Sequence, residues 1–321
     1  MRQSYLRRSL HGAAALALAA ATWASVSEAA QAAPLRDKWC GKVHLRFFVG
    51  GAEGDAFGTI VYNGAKQAAA DTGAQVDYVF SGWANEKMVM GHPGEAAIVP
   101  LAQEAAKAGV KMMYQNVPVP AAVDKVGGGY IGAQQAPQGH ALGVEMVRRF
   151  GLKKGDGVVV LGGFDDSIRG AREEGTAKAL EEAGVKVVRL NSPPEWATDP
   201  NLAIPVVTAA LQANPTSKAI VYPGGQELGN AATYMKAAGK KPGEIINVGF
   251  DTSPQIVEAF NGGWVQLTAD QQPFQQGYLP ILSLCEQIVY GLAPINVDTG
   301  AGYVTPDNYK AVAGLATEGL R

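Results

Sequence analysis

Little in the 321-residue sequence favours a metal, a nucleic acid or a lipid bilayer. Its two cysteines exclude a disulfide scaffold and a multi-cysteine zinc module. His44, His92 and His140 stand far apart, so no metal-ligand spacing exists. With 27 basic and 29 acidic side chains the formal net charge is -2, and nucleic-acid binding loses its usual electrostatic footprint. No segment after the first 33 residues reaches the roughly 20 strongly apolar residues of a membrane span. The length fits about two domains of ordinary size.

Residues 1–33 read as an export signal. Arg2, Arg7 and Arg8 come first, Gly12 to Ser25 is almost free of charge, and small residues close the segment around Ala30-Gln31-Ala32. Arg7-Arg8 leave both the general and the twin-arginine export routes open. No cysteine stands at the cleavage region for a lipid anchor. Cys40 and Cys285 would then meet an oxidising compartment, where a bridge between them is chemically allowed; two unrelated buried thiols are the alternative.

Beyond residue 33, short apolar runs alternate with alanine-rich stretches. Residues 44–49, 76–80, 111–115, 158–161, 185–190, 219–222, 245–250 and 265–268 are predicted strands. Residues 59–71, 95–108, 138–150, 167–183, 202–213, 228–238, 254–260 and 274–290 are predicted helices. Gly73, Gly109, Gly184, Gly239 and Gly291 follow as helix C-caps. The strands read as continuously apolar, which predicts parallel sheets covered by helices on both faces, an α/β fold. Ligands of such sheets bind beyond the carboxyl ends of the strands. The residues there share a character: Asp55 and Phe57, Trp83, His92, Asn116, Asp165-Asp166, Trp196, Gln226, Asp251 and Gln271. Carboxylates and amides can take paired hydroxyls while aromatic faces pack on the C–H surface of a ring, which suits a neutral polyhydroxylated ligand.

Several stretches carry a resemblance. They are Asp55-Ala56-Phe57 before Gly64-Ala65-Lys66-Gln67-Ala68, Ala106-Lys107-Ala108-Gly109-Val110, Arg172-Glu173-Glu174-Gly175, Val248-Gly249-Phe250-Asp251 and Gln271-Gln272-Pro273. In order and spacing, the chain resembles the ribose-binding-protein family, the type I periplasmic sugar-binding proteins of ABC importers. The resemblance implies two similar doubly wound domains joined by three crossovers, with lobes at 36–133 plus 272–295 and at 134–271 plus 296–321. It implies a small sugar or polyol enclosed by hinge closure, no cofactor and no metal. The partner is an inner-membrane permease, with a chemoreceptor able to read the same closed form. By position, Phe57 and Trp196 match ring-stacking aromatics, while Asp55, His92, Asn116 and Asp251 match hydroxyl-binding residues. Arg172 matches the arginine that reaches ring or hydroxyl oxygens, and Gln271 closes the site at the second crossover.

Three departures stand out. Gly224-Gly225 replaces the family's usual Asn-Asp, leaving Gln226 as the substitute or the pocket wider. The family's serine or aspartate is also missing at Gly132-Ala133-Gln134-Gln135. Only residues 81–87 separate the second strand from Met88–Met90, where a parallel crossover needs about a dozen residues. Either Met88–Met90 is a stub strand with a helix missing from one sheet face, or a deletion impairs the first domain; an exposed apolar patch is expected nearby.

Other classes fit less well. Gly127-Gly128-Gly129-Tyr130-Ile131-Gly132 has the letters of a dinucleotide fingerprint but follows a polar loop and opens no helix. No Walker loop or nucleophile elbow occurs. A carbohydrate hydrolase would need two carboxylates across one glycosidic bond, with Asp165, Asp166 and Asp251 as candidates. Adjacent side chains such as Asp165 and Asp166 usually point apart, so the sequence reads as that of a binding protein, not an enzyme.

Overall fold

Runs of β-branched residues such as Gly157-Val158-Val159-Val160-Leu161-Gly162 form strands because their side chains pack well on a pleated surface. A computed structural model describes residues 37–51, 53–80, 95–193, 195–300 and 302–321. It contains the strands β1 (His44–Phe48), β2 (Gln75–Val79), β3 (Met113–Gln115), β4 (Gly129–Gly132), β5 (Gly157–Gly162) and β6 (Lys186–Asn191). β7 (Ser217–Val221), β8 (Ile246–Phe250), β9 (Leu267–Ala269), β10 (Val297–Asp298) and β11 (Tyr303–Val304) follow.

The larger sheet has the order β11-β9-β8-β7-β5-β6, parallel except for β11 against β9. β5 is buried along its whole length. One core, with Tyr222, Tyr234 and Phe260, and a second, with Leu142, Leu180 and Phe250, account for the apolar residues of its strands. Helices 135–150 and 171–182 meet at backbone distance, because a Cβ at Gly139 would lie 1.7 Å from the Arg172 carbonyl oxygen.

The first lobe is built differently. β1 pairs with β2 in parallel from His44↔Gln75 to Phe48↔Val79, while β3, β4 and β10 form a separate parallel sheet. Leu45 and Phe47 turn inward against helices 56–72 and 273–289. These two helices also touch closely: a Cβ at Gly277 would stand 1.9 Å from the Val61 carbonyl oxygen. Cys285, on the second of them, is bridged to Cys40, just before β1, so the pairing left open by the sequence is a disulfide.

The chain passes between lobes three times. β4 leads to helix 135–150, residues 270–272 lead from β9 to helix 273–289, and residues 299–302 separate β10 from β11. At the second passage the buried Asp270 accepts from the Gln272 N–H at 2.8 Å and pairs with the Arg321 guanidinium at 2.8 Å.

All five expected C-cap glycines have left-handed backbones, with φ between 67° and 82°. Other expectations need correction. β1 alternates between exposed and buried residues instead of reading apolar throughout. His44 and Arg46 lie on its outer face against Asp77 of β2, at 3.0 and 3.8 Å. That face is charged, as befits a sheet surface left in water. The apolar patch expected near residues 81–90 falls at a segment outside the described residues. The helix expected from residue 167 begins at Ala171, because the Asp166 carboxylate accepts from the Ile168 and Arg169 N–H groups and holds a turn. The helix expected over 228–238 is two short ones, 225–229 and 231–237. Helix 120–126, β4, β10, β11 and helix 309–317 were not anticipated. The export signal and Met88–Met90 lie outside the described residues.

Candidate functional site

In the larger sheet, β5 runs to β6 on one side and to β7 on the other, so the loops after β5 and β7 diverge and leave a crevice. A cavity of about 520 Å³ opens there, within the size range of small-molecule sites. Residues after β5, β6, β7 and β8 form one wall. Asp55 and Phe57, near the start of helix 56–72, and Asn116, after β3, form the other. Gln135 and Gln271 lie at the crossovers between them.

Of the residues singled out in the sequence, Asp55, Phe57, Asn116, Arg172, Gln226, Asp251 and Gln271 line this one cavity. Trp196 does not: its indole is 6% exposed and belongs to the core of the larger lobe, and Ala197 lines the cavity instead. The short helix 195–198 turns the larger apolar surface inward. Trp83 and His92 lie outside the described residues.

Local chemistry fixes the polar groups. Asp55 caps its helix, accepting from the Phe57 and Gly58 N–H groups at 3.1 and 3.0 Å. Asp251, with φ 74°, is held from two sides: Gln271 Nε2 donates to one oxygen at 2.6 Å and the Gly225 N–H to the other at 2.9 Å. Asn116, with φ 65°, donates to Gln276 Oε1 at 3.2 Å. Left-handed backbone at a non-glycine residue costs energy and gathers at functional sites; of the four such residues described, Asn116, Asp251 and the hinge residue Gln272 lie here, and Lys38 lies before β1. The Arg172 guanidinium lies 4.0 Å from the Phe250 ring centroid and donates to the Pro223 carbonyl and, at 3.2 Å, to Glu173.

The sequence reading missed two acids of this wall. Glu173 and Glu227 are 2% and 4% exposed and both line the cavity. Burial pushes the Glu173 carboxyl up, against the pull of Arg172. Burial pushes Glu227 up to about 7, with Asp251 and Glu173 adding repulsion. Asp251 is raised by burial too, against Arg172 and its hydrogen bonds. Glu227 lies beside Gln226 in the short helix 225–229 that follows β7, and nothing in that stretch of sequence sets it apart. The carboxylates proposed for hydrolysis are engaged locally: Asp166 caps a turn and Asp165 accepts from Asn191.

The cavity thus lies between two parallel-sheet lobes joined by three passages of the chain. A family model described as the periplasmic binding protein domain matches residues 47–291. The chain belongs to that family. Solved structures share the periplasmic binding protein fold. A carbohydrate transporter from Acidothermus cellulolyticus 11B, in complex with myo-inositol, superposes with a TM-score of 0.72 at 21% identity, covering 87% of this chain and 99% of that one. An ABC transporter solute-binding protein from Burkholderia graminis C4D1M, in complex with D-arabinose, gives 0.73 at 20% identity, covering 86% and 99%. One from Actinobacillus succinogenes 130z, with bound D-allose, gives 0.71 at 22% identity, covering 84% and 100%. In sequence, the xylose/arabinose-binding protein of Sulfolobus acidocaldarius is 35% identical over 71 residues, which is 21% of this chain and 17% of that protein.

Proposed function

We propose that this periplasmic binding protein is the solute receptor of an ABC importer and binds a small sugar, polyol or sugar-like signal between its lobes. The carrying observation is convergence: a carboxylate, a guanidinium and a carboxamide, Asp251, Arg172 and Gln271, meet Asp55, Phe57 and Asn116 of the other lobe at one cavity. Such groups pair with vicinal hydroxyls, and Phe57 offers a flat apolar face for ring C–H groups. The sugar ligands of structurally similar proteins support the same class. We place the crossovers at residues 133–134, 270–272 and 299–302, so that ligand bridging the lobes favours the closed form through contacts the open form lacks. That form docks on an inner-membrane permease, and a chemoreceptor is a second reader of it. The site performs no chemistry, and the protein is exported to the periplasm by its first 33 residues.

A thermal-shift and calorimetric screen against D-xylose, D-arabinose, D-allose, D-glucose and myo-inositol tests the reading. A ligand at 100 times its Kd adds about 2.7 kcal/mol of stability. Asp251→Ala and Arg172→Ala should each abolish measurable binding, since each leaves buried hydroxyls without a partner. Unchanged affinity in both variants would overturn the assignment.

A further inference from the structure

The acids around the cavity are not equivalent. Asp55, Asp165, Asp166, Glu173 and Asp251 each have a partner elsewhere in the protein: backbone N–H groups, Asn191, Arg172 or Gln271. For Glu227 the donor is its own backbone N–H. The residue is nevertheless only 4% exposed, and it lines the cavity. A buried carboxylate so poorly paired is costly, and it calls for a partner that the protein does not itself supply.

The two glycines beside it make the arrangement possible. A Cβ at Gly224 would lie 3.4 Å from Glu227 Oε2 and 3.9 Å from Asp251 Oδ2, and one at Gly225 would lie 3.4 Å from Asp251 Oδ2. Any side chain at Gly224 would stand between the two carboxylates. Without one, both face the same space. Positive charge there comes from two arginines: Arg169 and Arg172 line the cavity with the six acids, and among the described residues no lysine or histidine does. Arg172 is shared among Glu173, the Pro223 carbonyl and the Phe250 ring. Hydroxyl groups would satisfy the lone pairs of Glu227 and leave its charge uncompensated. An ammonium group satisfies both.

We propose that Glu227 sets ligand selection, and that the preferred ligand carries a protonated amine among its hydroxyls, as amino sugars and aminocyclitols do. This rests on the sugar-binding reading above. The raised titration of Glu227 agrees with it, since bound cation would restore the ionised form.

The test is isothermal titration of the full protein with matched pairs: D-glucosamine against D-glucose, D-galactosamine against D-galactose, and scyllo-inosamine against scyllo-inositol. The amine of at least one pair should bind about tenfold or more tightly than its hydroxyl counterpart. N-acetylation, which removes the charge, should cancel the gain, a comparison that needs no variant. In Glu227→Gln the ratio of affinities within that pair should fall to about one. Hydroxyl members binding as tightly as the amines would overturn the inference and leave sugar binding standing. A ratio unchanged in Glu227→Gln would overturn the role of that residue. Failure of every pair to bind would count against both readings.

Discussion

The two lobes solve one packing problem in opposite ways. In the larger lobe β5 is buried on both faces and the sheet runs unbroken through six strands. In the smaller lobe β1 buries Leu45 and Phe47 and turns His44 and Arg46 to water. Among the described residues its strands form two sheets, of two and three strands, linked by a side chain: Gln115 Nε2 donates to the Phe48 carbonyl at 3.1 Å. The larger lobe therefore draws its stability from two extensive cores, and the smaller from two lesser ones, around Leu45 and Phe47 and around Val99 and Val119, and from a covalent bond.

That contrast can be tested at the bond first. The Cys40–Cys285 bridge closes a loop with a sequence separation of 245, all of its anchorage in the smaller lobe. Replacing both cysteines by alanine should cost about 2–5 kcal/mol. Denaturant unfolding followed by hydrogen exchange should show the loss in helices 56–72 and 273–289 before β5 and β7 open. Equal loss in both lobes would break the comparison.

A smaller effect separates the lobes by pH. Glu173, Glu227 and Asp251, all raised, belong to the larger lobe. Between the ordinary value of 4.5 and about 7, folded Glu227 keeps a proton that the unfolded chain has released. Its contribution is therefore complete below about 4.5 and is lost as pH rises to about 7, at up to about 1.4 kcal/mol per pH unit. Glu145, drawn down to about 2 chiefly by its hydrogen bond from Arg148, acts in the opposite sense and only at lower pH. Ligand-free melting of the larger lobe should fall between pH 5 and 7, and Glu227→Gln should flatten the fall.

The smallest effect belongs to the open face of β1 and β2. Asp77→Ala removes a half-exposed pair with His44 and should change stability by no more than about 0.5 kcal/mol. A larger cost in urea unfolding would mean that this face is covered.

How far the sequence announced these features depended on their range. Helices and their glycine caps follow from local periodicity and backbone freedom, and Gly73 and Gly239 stood where expected. Six of the cavity residues, Asp55, Phe57, Asn116, Gln226, Asp251 and Gln271, were legible because they follow strands of a parallel sheet, and Arg172 through the family resemblance. Trp196 was misplaced because a loop aromatic gives no sign of which way it turns. β1 was misread despite a visible alternation of His44, Leu45, Arg46 and Phe47, since the α/β pattern around it suggested burial on both faces. Glu227 escaped because its approach to the Asp251 carboxylate exists only in three dimensions. β10 and β11 have two residues each and exist through the neighbours they join.

The cross-link between residues 40 and 285 also decides how the protein should be made. Both sulfur-bearing residues are 0% exposed, so an oxidant added after folding reaches them only when that part of the molecule opens. A batch from a reducing cytosol and a batch exported by the host cell would share a sequence and differ by one covalent link. Recombinant work on this protein should therefore begin with a free-thiol count on every preparation.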